Sequence, residues 1–423
     1  MSGDKPAKAV WVICQYAGSP RHGMNYRPYN IGQALKERGF DVTIISGSWS
    51  HQFFAPPRTE GIYTLEDVDG LRYCWIRTPA YPESHSSGRV LSWLCFLLHL
   101  FPLGRRAKAL GLPKPDSIII SSPSPYPVLA AARLARYFAA RLVFEVRDLW
   151  PLSLIELGGY SARHPFMILT QWIEDFAYRH ADRVVSVLPV AESYMLSRGM
   201  APGKFVYIPN GITASDIHGV PCGVTYSGLL RAAFSRETFI IGYSGTLGLA
   251  NALTCLVDAA ALLKDNPEIG FAIIGEGAEL AALKRRCAEL GTNNVVFFPS
   301  VPKQQIPDLL AQLDACYLGL RAEAVFRFGI SPTKLFDYLL AARPVIMAID
   351  AGNDIVAEAG CGITVPPEDP TSLAAAVKRL ASISPSERAS MGAAGRAYVL
   401  EKHHWSVLGE RYVHILNSGT DMP

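Results

Sequence analysis

No pair of cysteines in this chain is spaced to hold a metal or a redox centre. The eight, Cys14, Cys74, Cys95, Cys222, Cys255, Cys287, Cys316 and Cys361, lie far apart with no Cys-x-x-Cys among them. Neither a zinc site nor a disulfide framework is indicated, and a reducing cytoplasm fits best. A long hydrophobic run is missing too: the longest, Val90 to Phe101, has twelve residues, whereas crossing a bilayer takes ~20. Charge of one sign is scarce. A net charge of +3 with 18% charged residues gives no argument for nucleic acid, though it allows a local anionic ligand or membrane contact. The apolar stretch Ala9–Cys14 stops at Gln15, too short for a secretory leader and the right length for a first strand. Short repeats and low-complexity segments are absent.

What remains is a chain of 423 residues, 49% hydrophobic, able to bury a large interior and long enough for two or three domains. Short β-branched runs alternate with longer helical patterns. They fall at 10–14, 42–46, 72–76, 117–121, 142–146, 183–187 and 205–208, then at 240–243, 271–274, 295–298, 315–318, 344–348 and 362–365. Continuous apolar runs of this kind suit strands covered on both faces, so the pattern predicts an α/β protein with two parallel, helix-covered sheets, each Rossmann-like in rhythm. The turn-rich stretch Ile208 to Gly228 predicts a linker. The expected organisation is an N-terminal domain over 1–207, a linker region over 208–235, a C-terminal domain over 236–400, and a last amphipathic helix within 401–423 that packs back on the N-terminal domain.

Ligands of open α/β sheets gather at the carboxyl ends of strands. In the second half, Ser244-Gly-Thr-Leu-Gly-Leu-Ala-Asn251 follows a strand with two glycines that let backbone amides approach a ligand; any strand-to-helix turn could use glycine in the same way. Gly275-Glu-Gly277 is a similar turn, and Glu276 either accepts hydrogen bonds from a ribose or faces water. At Ser331-Pro-Thr-Lys334, Ser331 or Thr333 suits a cap and Pro332 the first helical turn, so the free amides of that helix mouth join the Lys334 charge in an anion site. Asp337 lies one turn on and could take paired hydroxyls. The bland alternative is a surface Lys–Asp pair worth only ~0.2–0.5 kcal/mol. In the first half, the loop Gly18 to Asn30 offers a flexible Gly23 and, in Arg27, a two-pronged donor for phosphate or carboxylate. Arg147-Asp148 stands at a strand end as either a site or a mutual structural bridge.

Trp93 and Phe96 amid leucines, followed by Arg105, Arg106 and Lys108, make Val90–Phe101 either an interfacial helix or a core helix with a basic turn. Asp67-Val-Asp69 before Gly70 reads as a hairpin turn and not as a metal ligand pair.

Taken together and in order, "FEVRDLWP", "PNGI", "GTLGLANAL", "IIGEG" and "SPTKLFDYLLAARPVI" resemble the retaining GT-B glycosyltransferases of family 4. The closer likeness is to the bacterial, fucosamine-transferase-like subgroup that builds O-antigen and capsule repeats. The resemblance runs from about Val10 to about His404. It implies two Rossmann-like domains facing a central cleft, with a nucleotide-sugar donor in the second half and the acceptor in the first. It makes Lys334, Arg147 and Asp148 the catalytic candidates. Gly245, Thr246, Asn251, Gly275, Glu276, Arg327, Ser331, Pro332, Thr333, Leu335 and Asp337 become donor-binding candidates, and Gly23, Met24, Tyr26 and Arg27 acceptor-side ones. The family's acidic pair falls on Gly329 and Asp337, so its first carboxylate is absent. The basic pair that many members carry near 245–251 is missing, as is the histidine some place where Arg147-Asp148 stands.

The implied reaction moves a sugar, an N-acetylated hexosamine or a deoxyhexosamine, from a UDP-sugar to a saccharide on a polyprenyl diphosphate, without metal or other cofactor. It would run on the cytoplasmic face of the inner membrane, with Trp93, Phe96, Arg105 and Arg106 touching anionic lipid. Three alternatives stay open: a nucleotide-sugar 2-epimerase of the same fold, a non-catalytic sugar-nucleotide-binding subunit, and a dinucleotide oxidoreductase. The last is disfavoured because no clean Gly-x-Gly-x-x-Gly follows the first strand.

Overall fold

The computed structural model describes residues 7–82, 87–218, 228 and 230–417; Cys222 and most of the stretch 219–229 lie outside them. The chain divides into two compact units, Met1–Pro209 with Trp405–Pro423, and Asn210–His404. Each is a Rossmann-like α/β unit. The sequence predicts a linker over 208–235; of its described residues, 208 and 209 close the first unit, while 210–218, 228 and 230–235 fall in the second, where Ile212 and Leu230 are buried in the core.

The first unit's sheet has eight strands: β1 (Ala9–Ile13), β2 (Asp41–Gly47), β3 (Tyr63–Val68), β4 (Leu71–Ile76), β5 (Ser117–Ser121), β6 (Arg141–Val146), β7 (Arg183–Ser186) and β8 (Phe205–Tyr207), ordered β3-β4-β2-β1-β5-β6-β7-β8. Its central strands are buried along their whole length, because helices cover both faces, and this produced the unbroken apolar runs. All pairs are parallel except β3 with β4. That edge hairpin closes on Asp69 (φ 54°) and Gly70 (φ 75°). Asp67 accepts from Gly70 N at 2.9 Å, while Asp69 pairs with Arg21 at 2.7 Å and accepts from Tyr29 at 2.9 Å. The Asp67 carboxylate thus closes the turn, and that of Asp69 ties it to Arg21 and Tyr29.

Helix Trp405–Asn417 belongs to this first unit, its Trp405, Leu408, Tyr412 and Ile415 packing with Val10, Ile31 and Leu35. The second unit carries β9 (Phe239–Ser244), β10 (Ile269–Ile274), β11 (Val295–Phe298), β12 (Ala315–Gly319), β13 (Val345–Ala348) and β14 (Gly362–Val365), all parallel, in the order β11-β10-β9-β12-β13-β14. Helix Thr333–Leu340 buries Leu335, Phe336, Leu339 and Leu340 against this sheet. Its remaining face carries Lys334 and Asp337.

Candidate active site

In the second unit the chemistry collects at the carboxyl end of β9. The strand ends in a tight turn at Gly245 (φ 148°), a conformation that favours glycine. A Cβ there would stand 2.7 Å from Lys334 Cε and 2.8 Å from its Nζ, so the missing side chain is what lets the lysine lie on the turn. The neighbouring turn is interlocked with it, since a Cβ on Gly275 would meet Gly245 O at 1.9 Å. Ser244 is fixed from below by Tyr338, whose hydroxyl accepts from Ser244 N at 3.0 Å.

Lys334 does not pair with Asp337. Its Nζ donates to Tyr243 Oη at 2.6 Å, lies 4.0 Å from the centre of that ring, and reaches Asn251 Oδ1 at 3.4 Å. Burial pushes its pKa down to about 8, with the Asp337 carboxylate opposing the shift. The helix mouth beside it has no side-chain cap: Pro332 occupies the N-cap position in extended conformation. Ser331 does not cap, because its Oγ accepts from Asn210 N at 2.9 Å and its carbonyl from Asn210 Nδ2 at 2.7 Å. A half-buried ammonium beside uncapped helix amides and a glycine turn can take an anion with little rearrangement.

Asp337 is half-buried and ion-paired with Lys303, at the start of the short turn Lys303–Gln305. Burial raises its carboxyl above the usual range, Lys303 and Lys334 oppose this, and Asp216 adds to it. Sequence reasoning missed Lys303, which sits in no motif, and Tyr243, whose position at the strand's end was the only signal. Thr246 and Glu276 are exposed; the Thr246 carbonyl accepts from Tyr243 Oη at 2.7 Å and from Asn251 Nδ2 at 3.0 Å. Thr333 and Arg327 are exposed as well, the guanidinium lying 4.3 Å from the Phe328 ring. Leu335 is the exception among the donor-side candidates. It is fully buried in the core, so its side chain offers a ligand nothing. Gly329 has φ 100° and ψ 171°, a backbone that a glutamate would adopt only under strain.

In the first unit, Gly23 (φ 148°) packs against the Gln52 carbonyl, and Met24 is exposed beside it. Tyr26 is half-buried at the start of helix Arg27–Lys36. Arg147 turns to Asn25 Oδ1 and not to Asp148, while its backbone N donates to Ser122 Oγ at 2.8 Å. Asp148 is exposed and makes no hydrogen bond among the described residues. The mutual Arg147–Asp148 bridge is therefore not formed.

Arg27 is not a ligand-facing donor. It is buried with its Nε 3.0 Å from Glu145 Oε1, and it donates to Pro209 O at 2.6 Å, Ile208 O at 2.8 Å and Tyr412 Oη at 3.1 Å. Burial works against the Glu145 charge, but Arg27, Ser121 and Tyr412 hold its pKa below the ordinary value. This network ties the end of β6 to the last helix, so Arg27 is structural.

Trp93 and Phe96 also face inward. They are 9% and 0% exposed, and Trp93 bonds Tyr16 Oη and stacks on Tyr126 at 5.6 Å. The outer face of helix Ser87–Leu100 instead exposes Val90, Leu91, Leu94 and Leu98. Arg105, Arg106 and Lys108 are exposed just after it. No described helix is long and apolar enough to cross a membrane.

Comparison with known proteins matches both halves to family models. Residues 22–211 fit the glycosyl transferase 4-like domain and residues 238–382 fit the glycosyl transferases group 1. The probable glycosyltransferase WbjE of Pseudomonas aeruginosa is 23% identical over 95% of this chain and 96% of its own. The putative colanic acid biosynthesis glycosyl transferase WcaI of Escherichia coli is 24% identical over 85% and 90%. Among solved structures, HepE of Anabaena in complex with UDP-glucose superimposes with a TM-score of 0.62 at 15% identity, covering 97% of this chain and all of that one. With both Rossmann-like units matched in order to the two domains of one enzyme family, the chain belongs to the family 4 glycosyltransferases of GT-B fold.

Proposed function

We propose that the enzyme moves a sugar from a UDP-sugar to a lipid-linked saccharide diphosphate during surface polysaccharide assembly, with retention of configuration and without a metal. The observation that carries this reading is the Lys334 ammonium, held on the Tyr243 ring at the Gly245 turn and beside uncapped helix amides. As the bond from the sugar's anomeric carbon to the diphosphate breaks, its electron pair goes to the departing phosphate oxygen. Fixed donors with a full positive charge stabilise that oxygen in place of a metal ion. The acceptor hydroxyl forms the new bond from the face the diphosphate leaves, and its proton passes to the departing oxygen. Asp337 takes the ribose hydroxyls. The acceptor lies against the carboxyl ends of the first unit's strands, where Met24, Arg147 and Asp148 face outward or half outward.

UDP is the nucleotide seen in the HepE complex, and the relative WcaI is named for colanic acid biosynthesis; both support this assignment of donor and pathway. The donor sugar is an N-acetylated hexosamine or a deoxyhexosamine. The exposed leucine face of helix Ser87–Leu100 with Arg105, Arg106 and Lys108 behind it supports docking on the anionic cytoplasmic leaflet.

A second reading, a subunit that binds sugar nucleotide without turning it over, is favoured by the Gly329 backbone, which leaves no carboxylate where the family places its first. A thermal-shift panel of uridine, guanosine and thymidine diphosphate sugars, followed by turnover with a polyprenyl diphosphate saccharide, tests both. Stabilisation by a UDP-sugar with transfer, retained anomeric configuration by proton NMR and insensitivity to EDTA is the expected outcome. Stabilisation without transfer supports the binder, and no stabilisation by any nucleotide sugar overturns the proposal.

A further inference from the structure

Asp337 is surrounded unevenly. On one side Lys303, 54% exposed on its short turn, contacts Oδ1. Lys334, on the same helix, is committed to Tyr243 and Asn251. From helix Ala214–His218 comes Asp216, a like charge whose Oδ2 is held by Thr213 N at 2.8 Å and Thr213 Oγ1 at 2.6 Å. Among the described residues nothing donates to Asp337 Oδ2. The carboxylate therefore has one oxygen pinned and the other open. That arrangement suits it to accept from two adjacent hydroxyls, because an ionised carboxylate is acceptor-only with two lone pairs on each oxygen.

We infer that Lys303 is a positioning residue for the donor: it keeps the Asp337 carboxylate ionised and turned so that Oδ2 meets the ribose hydroxyls. This rests on the proposed role of Asp337. A latch that the ribose must displace would make the same contact, and removal of the ammonium would then tighten binding where the positioning role weakens it. Without Lys303, burial and Asp216 would act on the carboxyl with only Lys334 opposing them. Protonation would then replace an acceptor lone pair with a donor, and a freely turning carboxyl would have to be ordered on binding. Lys303 is exposed and outside the core, so its replacement leaves the fold in place.

The test is calorimetric titration of UDP and of GDP into the wild type and into Lys303→Met, Lys303→Arg and Asp337→Asn, from pH 5 to pH 8, alongside steady-state kinetics. For the tighter-binding nucleotide, Lys303→Met should weaken binding about tenfold at pH 7, the scale of losing one charge-assisted contact. It should raise the donor KM by the same factor with kcat changed less than about twofold. The acid side of its binding profile should move to higher pH, and Lys303→Arg should restore binding to within about twofold. Unchanged or tighter binding in Lys303→Met overturns the inference and makes Lys303 a latch or a bystander. If Asp337→Asn binds as the wild type does, or neither nucleotide binds the wild type, the role of Asp337 fails first and the inference with it.

Discussion

Replacing Lys334 by methionine keeps the side chain's length and removes its charge. In the free enzyme the ammonium is costly: burial lowers its pKa from 10.5 to about 8, equivalent to about 3 kcal/mol of disfavoured charge. Against a phosphate whose charge is centred ~4 Å away, with an oxygen in hydrogen-bond contact, the same charge is worth about 4 kcal/mol at an effective dielectric of ~20. The two effects have opposite signs in the two assays. Transfer should lose on the order of a thousandfold in kcat/KM, since each 1.36 kcal/mol is about a factor of ten. Stability below pH 8 should hold or rise, because a desolvated charge has gone. The pH dependence separates the contributions. The wild type's folded form releases this proton near pH 8 while the unfolded chain keeps it to about 10.5, so its stability should climb between those values and that of Lys334→Met should not. Donor turnover by the wild type should fall over the same rise, as the protonated form is lost. Tm by calorimetry and kcat/KM from nucleotide release measure both. A loss below tenfold with a lowered Tm would make Lys334 a structural partner of Tyr243 and refute the reasoning.

Gly245→Ala places a methyl 2.7 Å from Lys334 Cε at a φ of 148°, and should raise the donor KM at least tenfold, the scale of one lost charge-assisted contact, while circular dichroism stays unchanged. Arg27→Met leaves Glu145 buried and unpaired and should cost about 3–5 kcal/mol of stability in denaturant titration, with the donor KM unaltered in what still folds. Leu94→Glu with Leu98→Glu should abolish flotation with anionic liposomes and leave donor hydrolysis intact; flotation equal to the wild type's would end the membrane assignment for that face.

Much of the fold is legible because parallel strands covered on both faces leave apolar runs that nothing else in a globular chain produces at such regular spacing. β9, β10 and β12 fall within a residue or two of their expected places. β3 does not show, since Tyr-Thr-Leu-Glu-Asp-Val at a sheet edge is half polar and too short to alternate clearly, yet its turn was readable from Asp69-Gly70. Helix Ser87–Leu100 carries leucines on more than one face and buries the polar Ser92, so no single apolar stripe says which side is buried, and the interior claimed the aromatic face. Arg27 was misread because its partner, Glu145, lies 118 positions away, and pairing at that range has no local signal. Lys334 was readable through the turn, proline and helix around it; Lys303 follows a strand with no pattern of its own.

The central claim is that one lysine and the adjoining amides grip the donor diphosphate, and a crystal structure with bound UDP tests it most directly. The account predicts the diphosphate within about 2.7–2.9 Å of Lys334 Nζ and of the first amides of helix Thr333–Leu340, with the ribose hydroxyls on Asp337. A nucleotide bound elsewhere, with Lys334 still resting on Tyr243, would contradict it.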